Sequence, residues 1–244
     1  MRPFSRSFAV AALTLLGACG SITDPTSPSA LAARRPREPK TPILFVHGYN
    51  SSASIWTTMV GRFRKDGWQS SELAAFTYNT AVSNVTTAAL IAGKVDSIQR
   101  ATGAARVAIV GHSMGTLSAR YYIKNLGGQS TVAALVSLAG ANHGTNLAIF
   151  CIAEVSCQEM VPGSGFLTTL NADDETPGFV GYRTWWSNCD EVISPRTSML
   201  LAGATNTQTA CLTHSQMYTD AGVYSQVRDF VKQASPAAFI ASAR

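Results

Sequence analysis

Five apolar-rich residues, Arg106 to Val110, run directly into Gly111-His112-Ser113-Met114-Gly115, and residues 116–125 continue with helical character. This is the feature that most narrows what the chain can become. It reads as a buried strand, a sharp turn with a serine at its apex, and a helix. Glycines two positions either side of Ser113 let the backbone reverse without a Cβ clash, leaving the hydroxyl exposed beyond the strand end. A glycine-serine-glycine spacing alone recurs by chance about once in ten chains of this size. The strand before it and the helix after it give it weight.

The rest of the chain supplies the alternation such a unit needs. Residues 43–46 read as a strand, and 53–65 as a helix with Ile55, Trp56, Met59, Val60 and Phe63 on one face. Strands follow at 73–78, 106–110, 132–138 and 198–202, with helices at 88–100, 116–125 and 223–233, and Gly127-Gly128 stops the middle helix. Strands alternating with helices imply an α/β fold, a mostly parallel sheet covered on both faces, with functional residues at the carboxyl ends of its strands. At 46% apolar and 14% charged side chains, the chain of 244 residues can fill one core of that kind and is not disordered.

Residues 1–18 have a basic start with Arg2 and Arg6, an apolar stretch from Phe8 to Leu16 and small residues after it, which reads as a signal peptide. The stretch is too short for the ~20 apolar residues of a membrane span. It ends Leu16-Gly17-Ala18-Cys19, which resembles a bacterial lipobox and predicts a lipid anchor on Cys19, with ordinary signal cleavage as the alternative. Residues 19–40 read as a flexible tether and 41–244 as the folded domain. The formal charge of +5 sits mainly in the leader and tether, since six of the 19 Lys and Arg but only two of the 14 Asp and Glu precede residue 41. The body is nearly neutral, which argues against nucleic acid as a partner.

Apart from Cys19 the cysteines are Cys151, Cys157, Cys189 and Cys211, an even number in a chain expected to leave the cytoplasm. Two disulfides follow, and of three possible pairings Cys151 with Cys157 and Cys189 with Cys211 each close a local loop. Zinc is disfavoured, because the pairs lack Cys-x-x-Cys spacing and a nearby histidine partner. The acidic run Asp173-Asp174-Glu175 lacks the spacing of a calcium loop. No metal or cofactor is expected.

A serine at neutral pH needs a base and an orienting carboxylate. His112 adjoins Ser113 and is expected to point away from it, while His47 belongs to the turn after the first strand. His143 competes for the base, but His214, in the last loop before the terminal helix, fits the order Ser, then Asp or Glu, then His. Of the acids between them, Asp190 sits among apolar neighbours in Cys189-Asp190-Glu191-Val192-Ile193-Ser194-Pro195, with Glu191 as the alternative. The oxyanion hole is expected from the backbone N–H groups of Met114 and Tyr49.

Together Pro42 to Ser52 (PILFVHGYNSS), Val107 to Asn125, Val136 to Thr145 (VSLAGANHGT), Asp190 to Pro195 and the His214 region resemble secreted bacterial lipases of the small α/β-hydrolase type. Over residues 41–233 the resemblance implies an α/β-hydrolase fold, Ser113 as nucleophile, Asp190 as acid, His214 as base, Tyr49 and Met114 as oxyanion donors, and a structural His143. The compact bacilli-type members have alanine where this chain has Gly111. The stretch 140–181 looks longer here, and Cys151 and Cys157 are additions, which predicts at most a small cap. The expectation is a secreted or membrane-anchored carboxylic-ester hydrolase acting on ester lipids or other small acyl esters, most simply a triacylglycerol lipase. A short-chain esterase or polyester depolymerase would use the same residues. A non-catalytic lipoprotein binding hydrophobic ligands would need that set broken.

Overall fold

The structure, a computed structural model, describes residues 40–234. The expected signal peptide, Cys19 and all but the last residue of the expected tether lie outside the described residues, as do residues 235–244.

Six strands form one sheet: β1 (Ile43–Val46), β2 (Leu73–Phe76), β3 (Val107–His112), β4 (Val132–Leu138), β5 (Gly181–Trp186) and β6 (Thr205–Gln208), in spatial order β2-β1-β3-β4-β5-β6. Every neighbouring pair is parallel. The helices are α1 (Thr57–Lys65), α2 (Asn84–Thr102), α3 (Gly115–Asn125), the single turn α4 (Gly128–Thr131), α5 (Val155–Met160), α6 (Gly165–Asn171) and α7 (Ala221–Gln233). Helix α1 packs with α7 and α2 with α3, giving the sheet its helical layers.

Central strands β1, β3 and β4 are buried at every position, which is why they read as unbroken apolar runs. Fully buried Phe45 touches Trp56 and Phe63, with ring centroids 5.3 and 5.9 Å away, and Phe63 meets Tyr224 of α7 at 5.0 Å. Each such side chain contributes about 1.5–3 kcal/mol by burial, so this aromatic group fixes α1 and α7 on β1. Side chains begin the long helices: Ser83 accepts from Val85 N at 3.1 Å ahead of α2, and Asp220 accepts from Val223 N at 2.8 Å ahead of α7.

The sequence reading places a strand at 198–202, and the structure has none there. Residues Arg196–Met199 form a 3₁₀ turn whose Met199, with Leu201 beyond it, is buried. The remaining two strands are β5 and β6. The first part of the expected helix at 53–65 is also a 3₁₀ turn, Ala53–Trp56, with α1 following. Between β4 and β5 the chain forms a small cap from the 3₁₀ segment Asn146–Cys151, α5 and α6. Both expected disulfides are present, Cys151–Cys157 and Cys189–Cys211, with Cα separations of 5.7 and 5.1 Å.

Candidate active site

The residues singled out by sequence collect at the carboxyl ends of the strands. Ser113 follows β3 at φ 54°, a left-handed conformation that is costly for a residue with a Cβ. The surroundings hold it there: Ser113 N donates to Leu138 O at 3.0 Å, while its carbonyl accepts from Thr116 N at 3.1 Å and Thr116 Oγ1 at 2.8 Å. Glycine is required on both sides of the contact with β1. A Cβ on Gly115 would fall 2.3 Å from His47 O, and one on Gly48 would fall 2.7 Å from Ser113 Cβ. The turn after β1 and the turn after β3 therefore touch backbone to backbone.

Asp190 lies beyond β5 and His214 beyond β6, and the structure joins them. His214 Nδ1 donates to Asp190 Oδ2 at 2.8 Å, and Asp190 Oδ1 accepts from Val192 N at 2.9 Å and Ile193 N at 2.8 Å. Burial of Asp190 opposes its ionisation, but the His214 bond and the two backbone donors outweigh that and hold its carboxyl below the usual range. Glu191 takes a different position from its neighbour: Oε2 accepts from the backbone N–H of His214 at 3.0 Å. One acid thus holds the imidazole and the next holds the main chain of the same residue. The disulfide Cys189–Cys211 and Ser187 Oγ, which accepts from Cys189 N and Leu212 N at 3.0 Å each, tie the two loops together.

With Nδ1 committed to Asp190, Nε2 is the nitrogen of His214 left to face a reacting group. Ser113 and His214 line one cavity of about 270 Å³ together with Gly48, Tyr49, His112 and Tyr218. No hydrogen bond joins the Ser113 hydroxyl to the imidazole among the described residues, as is common where no substrate is bound. Ser113 also lines a second cavity of about 390 Å³, whose walls include Leu147, Ala148, Phe150, Met160 and Ile193. Tyr49 and Val192 border both, so Ser113 stands between the cavity that holds His214 and one walled mainly by aliphatic and aromatic side chains.

The backbone N–H groups of Tyr49 and Met114 have no intramolecular acceptor among the described residues. The turn carrying Tyr49 is braced by Tyr78, which sequence reading did not single out. Its hydroxyl donates to His47 O at 2.5 Å, its ring stacks on His47 at 4.2 Å, and its N–H donates to His47 Nε2 at 3.4 Å. His47 then carries its proton on Nδ1, which donates to Gly48 O at 2.9 Å.

His143, the competing base, is engaged elsewhere. Nε2 meets Glu175 Oε1 at 2.8 Å, and Glu175 Oε2 accepts from Ala202 N at 2.8 Å. Its backbone N–H donates to Ser198 O at 3.0 Å. Among the described residues, no group of three or more His, Cys, Asp or Glu is arranged to hold a metal ion.

The sequence model of the family described as lipase (class 2) matches residues 40–234. In fold the chain is similar to the mature form of lipase BlEst2 from Bacillus licheniformis, with a TM-score of 0.71 at 18% identity over 82% of this chain and 95% of that one. It is similar also to Aspergillus fumigatus lipase B, with a TM-score of 0.64 at 16% identity over 79% of this chain and 52% of that one. A third likeness is to a monoacylglycerol lipase of Paleococcus ferrophilus, with a TM-score of 0.59 at 10% identity over 80% and 97% of the two chains. At such identities the likeness is one of fold, here the α/β-hydrolase fold.

Proposed function

From the premise that the chain belongs to the class 2 lipase family, we propose that it is an exported triacylglycerol lipase acting through Ser113, His214 and Asp190. As a member of that family it is an ester hydrolase of the α/β-hydrolase fold; the substrate, the residue roles and the export route are our reading. The observation that carries it is the position of Ser113, shared by an apolar cavity of about 390 Å³ and the cavity that holds His214, which Asn50, Ser51 and Ser215 also line. An acyl chain fits the first and a leaving alcohol the second.

In this mechanism His214 Nε2 takes the Ser113 proton as Oγ attacks the ester carbonyl carbon. Negative charge gathers on the carbonyl oxygen, where the N–H groups of Tyr49 and Met114 stabilise it. The ionised Asp190 stabilises the imidazolium on the opposite side of the ring and does not itself take the proton. Collapse breaks the bond to the alcohol, which leaves with the proton from His214, and the acyl group stays on Ser113. Water then gives a proton to His214 as it attacks the acyl carbon, and collapse breaks the bond to Ser113 Oγ, which takes that proton back from His214 as the acid is released.

Export is supported by the leader at residues 1–18 and by two disulfides, bonds that persist outside a reducing cytoplasm. The lipobox-like run ending in Cys19 supports acylation there, with residues 20–40 as a tether between membrane and the domain at 41–244. A series of nitrophenyl esters and triglycerides of increasing chain length tests the substrate assignment. A preference for medium or long triglycerides is the expected result; activity confined to short soluble esters would make it an esterase. Mass spectrometry of the mature N-terminus tests the anchor, which an unmodified terminus downstream of Cys19 would exclude.

A further inference from the structure

Charge is not spread evenly over the domain. Residues 73–220 carry seven Lys and Arg against nine Asp and Glu, whereas residues 40–72 and 221–234 together carry six against three. The six are Lys40, Arg62, Arg64, Lys65, Arg228 and Lys232, in the approach to β1 and on α1 and α7. The near-neutral total therefore conceals a positive region. A cation suits the last turn of a helix, but that effect fades within a turn and does not gather Lys40 there.

Two aromatic rings collect these cations. Lys40 Nζ lies 4.1 Å from the centre of the Trp68 ring and Lys232 Nζ 6.0 Å, while the guanidinium carbons of Arg62 and Arg228 lie 5.7 and 5.9 Å from the centre of Tyr224. Trp68 is itself fixed by a bond from Nε1 to Thr41 O at 3.0 Å, and Lys40 Nζ donates to Asp66 O at 2.5 Å. Of the acids, Asp66 and Asp229 share Arg228, at 3.1 and 2.8 Å, and Glu72 Oε2 accepts from Gln69 N at 2.7 Å. Arg64 and Lys65 are exposed, and among the described residues their side chains have no hydrogen bond or ion pair.

The group stands at the amino ends of the strands, the end opposite Ser113. Lys40 precedes β1 by three residues. Helix α1 leaves the carboxyl end of β1 and runs back toward the start of β2, so its last turn, with Arg62, Arg64 and Lys65, lies at the amino end. The last turn of α7 joins it where Lys232 meets Trp68. The expected tether enters the domain at the same place, and in sequence it brings Arg34, Arg35 and Arg37 against Glu38 within six residues of Lys40.

We infer that this end of the domain, centred on Lys40, Arg64, Lys65 and Lys232, is a docking surface for the anionic phospholipid headgroups of the membrane that holds the Cys19 anchor, and that docking turns Ser113 away from that membrane. The inference rests on the anchored-export reading of the leader. That reading selects the partner, because the tether begins at a cysteine acylated in the bilayer and ends on these cations. Substrate then reaches Ser113 from the side away from the bilayer.

The test compares the full chain with its Arg64→Gln/Lys65→Gln/Lys232→Gln variant, both carrying Cys19→Ser so that acylation holds neither on the lipid. The parent should cosediment with vesicles of mixed phosphatidylcholine and phosphatidylglycerol, not with phosphatidylcholine alone, and should be released at about 0.5 M salt, where pairing between surface charges is screened. Each cation brought to an anionic surface strengthens binding about fivefold, so partition of the variant should fall about a hundredfold. Its hydrolysis of nitrophenyl butyrate should be unchanged, which shows that it is folded. Lys94→Gln/Arg100→Gln/Arg196→Gln removes the same charge from other exposed positions and should bind as the parent does. Equal binding by parent and first variant, equal loss in both variants, or equal binding to neutral vesicles would overturn the inference, as would retention on heparin with none on vesicles. Vesicle-bound parent should hydrolyse nitrophenyl butyrate as fast as free parent; loss of turnover on docking would overturn the outward orientation. Should the triple variant fail to fold, Lys65→Gln alone should lower binding about fivefold. An unacylated mature terminus in the chain that keeps Cys19, with vesicle binding intact, would overturn the anchor reading and leave the docking surface standing.

Discussion

His112 lays its ring against His214, with centroids 4.5 Å apart, and its Nε2 donates to the backbone carbonyl of His214 at 3.1 Å. Only a protonated Nε2 makes that bond, and Nδ1, buried without a hydrogen-bond partner, is then bare. Burial first, and the neighbouring His214 second, hold the His112 pKa well below its ordinary value. The residue beside the proposed nucleophile therefore grips the main chain of the proposed base as a neutral ring.

Removing that grip should slow turnover more than it weakens substrate binding. His112→Phe keeps a ring and loses the donor, and kcat is expected to fall between about tenfold and a hundredfold, the range for a base displaced by up to about 1 Å. His112→Gln, which can still donate, should recover part of the loss. Steady-state kinetics on a soluble ester check this; equal effects of Phe and Gln would mean that the hydrogen bond is not what matters.

Acid should destabilise the fold from about pH 6.5 downward. Burial lowers the pKa of His47 as well as of His112, against a smaller opposing effect of the Gly48 carbonyl at His47. Unfolded histidines protonate near about 6.5 while these two resist, so the unfolded state binds more protons as pH falls. Stability is thus complete above that value and declines below it, by up to about 1.4 kcal/mol per pH unit for each histidine. Asp190, with its depressed pKa, adds a further loss in a more acidic window as pH falls through its folded value. Urea unfolding across this range should show the slope, and His112→Gln should make it shallower.

Ser113→Ala and His214→Ala should each cost at least about 1,000-fold in kcat/KM on any ester, with the fold intact. His143→Ala should leave turnover near normal and lower the melting temperature, because its ring bonds Glu175 at 2.8 Å. An exchange of the two histidine phenotypes would transfer the proposed base from residue 214 to residue 143.

Replacing Cys189 and Cys211 with serine opens a loop spanning 22 residues. In the chain-entropy model this costs about 3 kcal/mol. Turnover should fall further than that loss alone accounts for, measured well below the melting temperature, because Asp190 and His214 sit one and three residues from the bond. Parallel measurement of melting and kcat separates the two effects.

Strands β1, β3 and β4 were legible because both of their faces are buried, so each is an apolar run. Strand β5 carries Arg183 and Thr184 amid its aromatics, and edge strand β6, Thr205-Asn206-Thr207-Gln208, has no large apolar side chain. Their place comes from partners far along the chain: Arg183 Nε donates to Thr207 Oγ1 at 3.0 Å and Thr184 Oγ1 to Asn206 Oδ1 at 2.7 Å. The run at 198–202 misled because a buried loop and a short strand share the same composition. At the site, the serine and its glycines announce themselves locally. The division between Asp190 and Glu191 does not, since adjacent carboxylates look alike until a loop from residue 214 arrives against them. Tyr78 gave no signal at all, because its partner, the His47 carbonyl, is a backbone atom brought in by sheet pairing.

The backbone contact at Gly48 and Gly115 leaves no space for even one added carbon on that side of Ser113. The other side is built from Leu147, Phe150 and Cys151, in a segment between β4 and β5. Side chains there can be exchanged without moving the turns that meet at the serine. The cavity therefore has one wall closed to variation and one open to it. Divergence in acyl preference, in nature or by directed selection, has a path along the open wall that leaves the reacting atoms undisturbed.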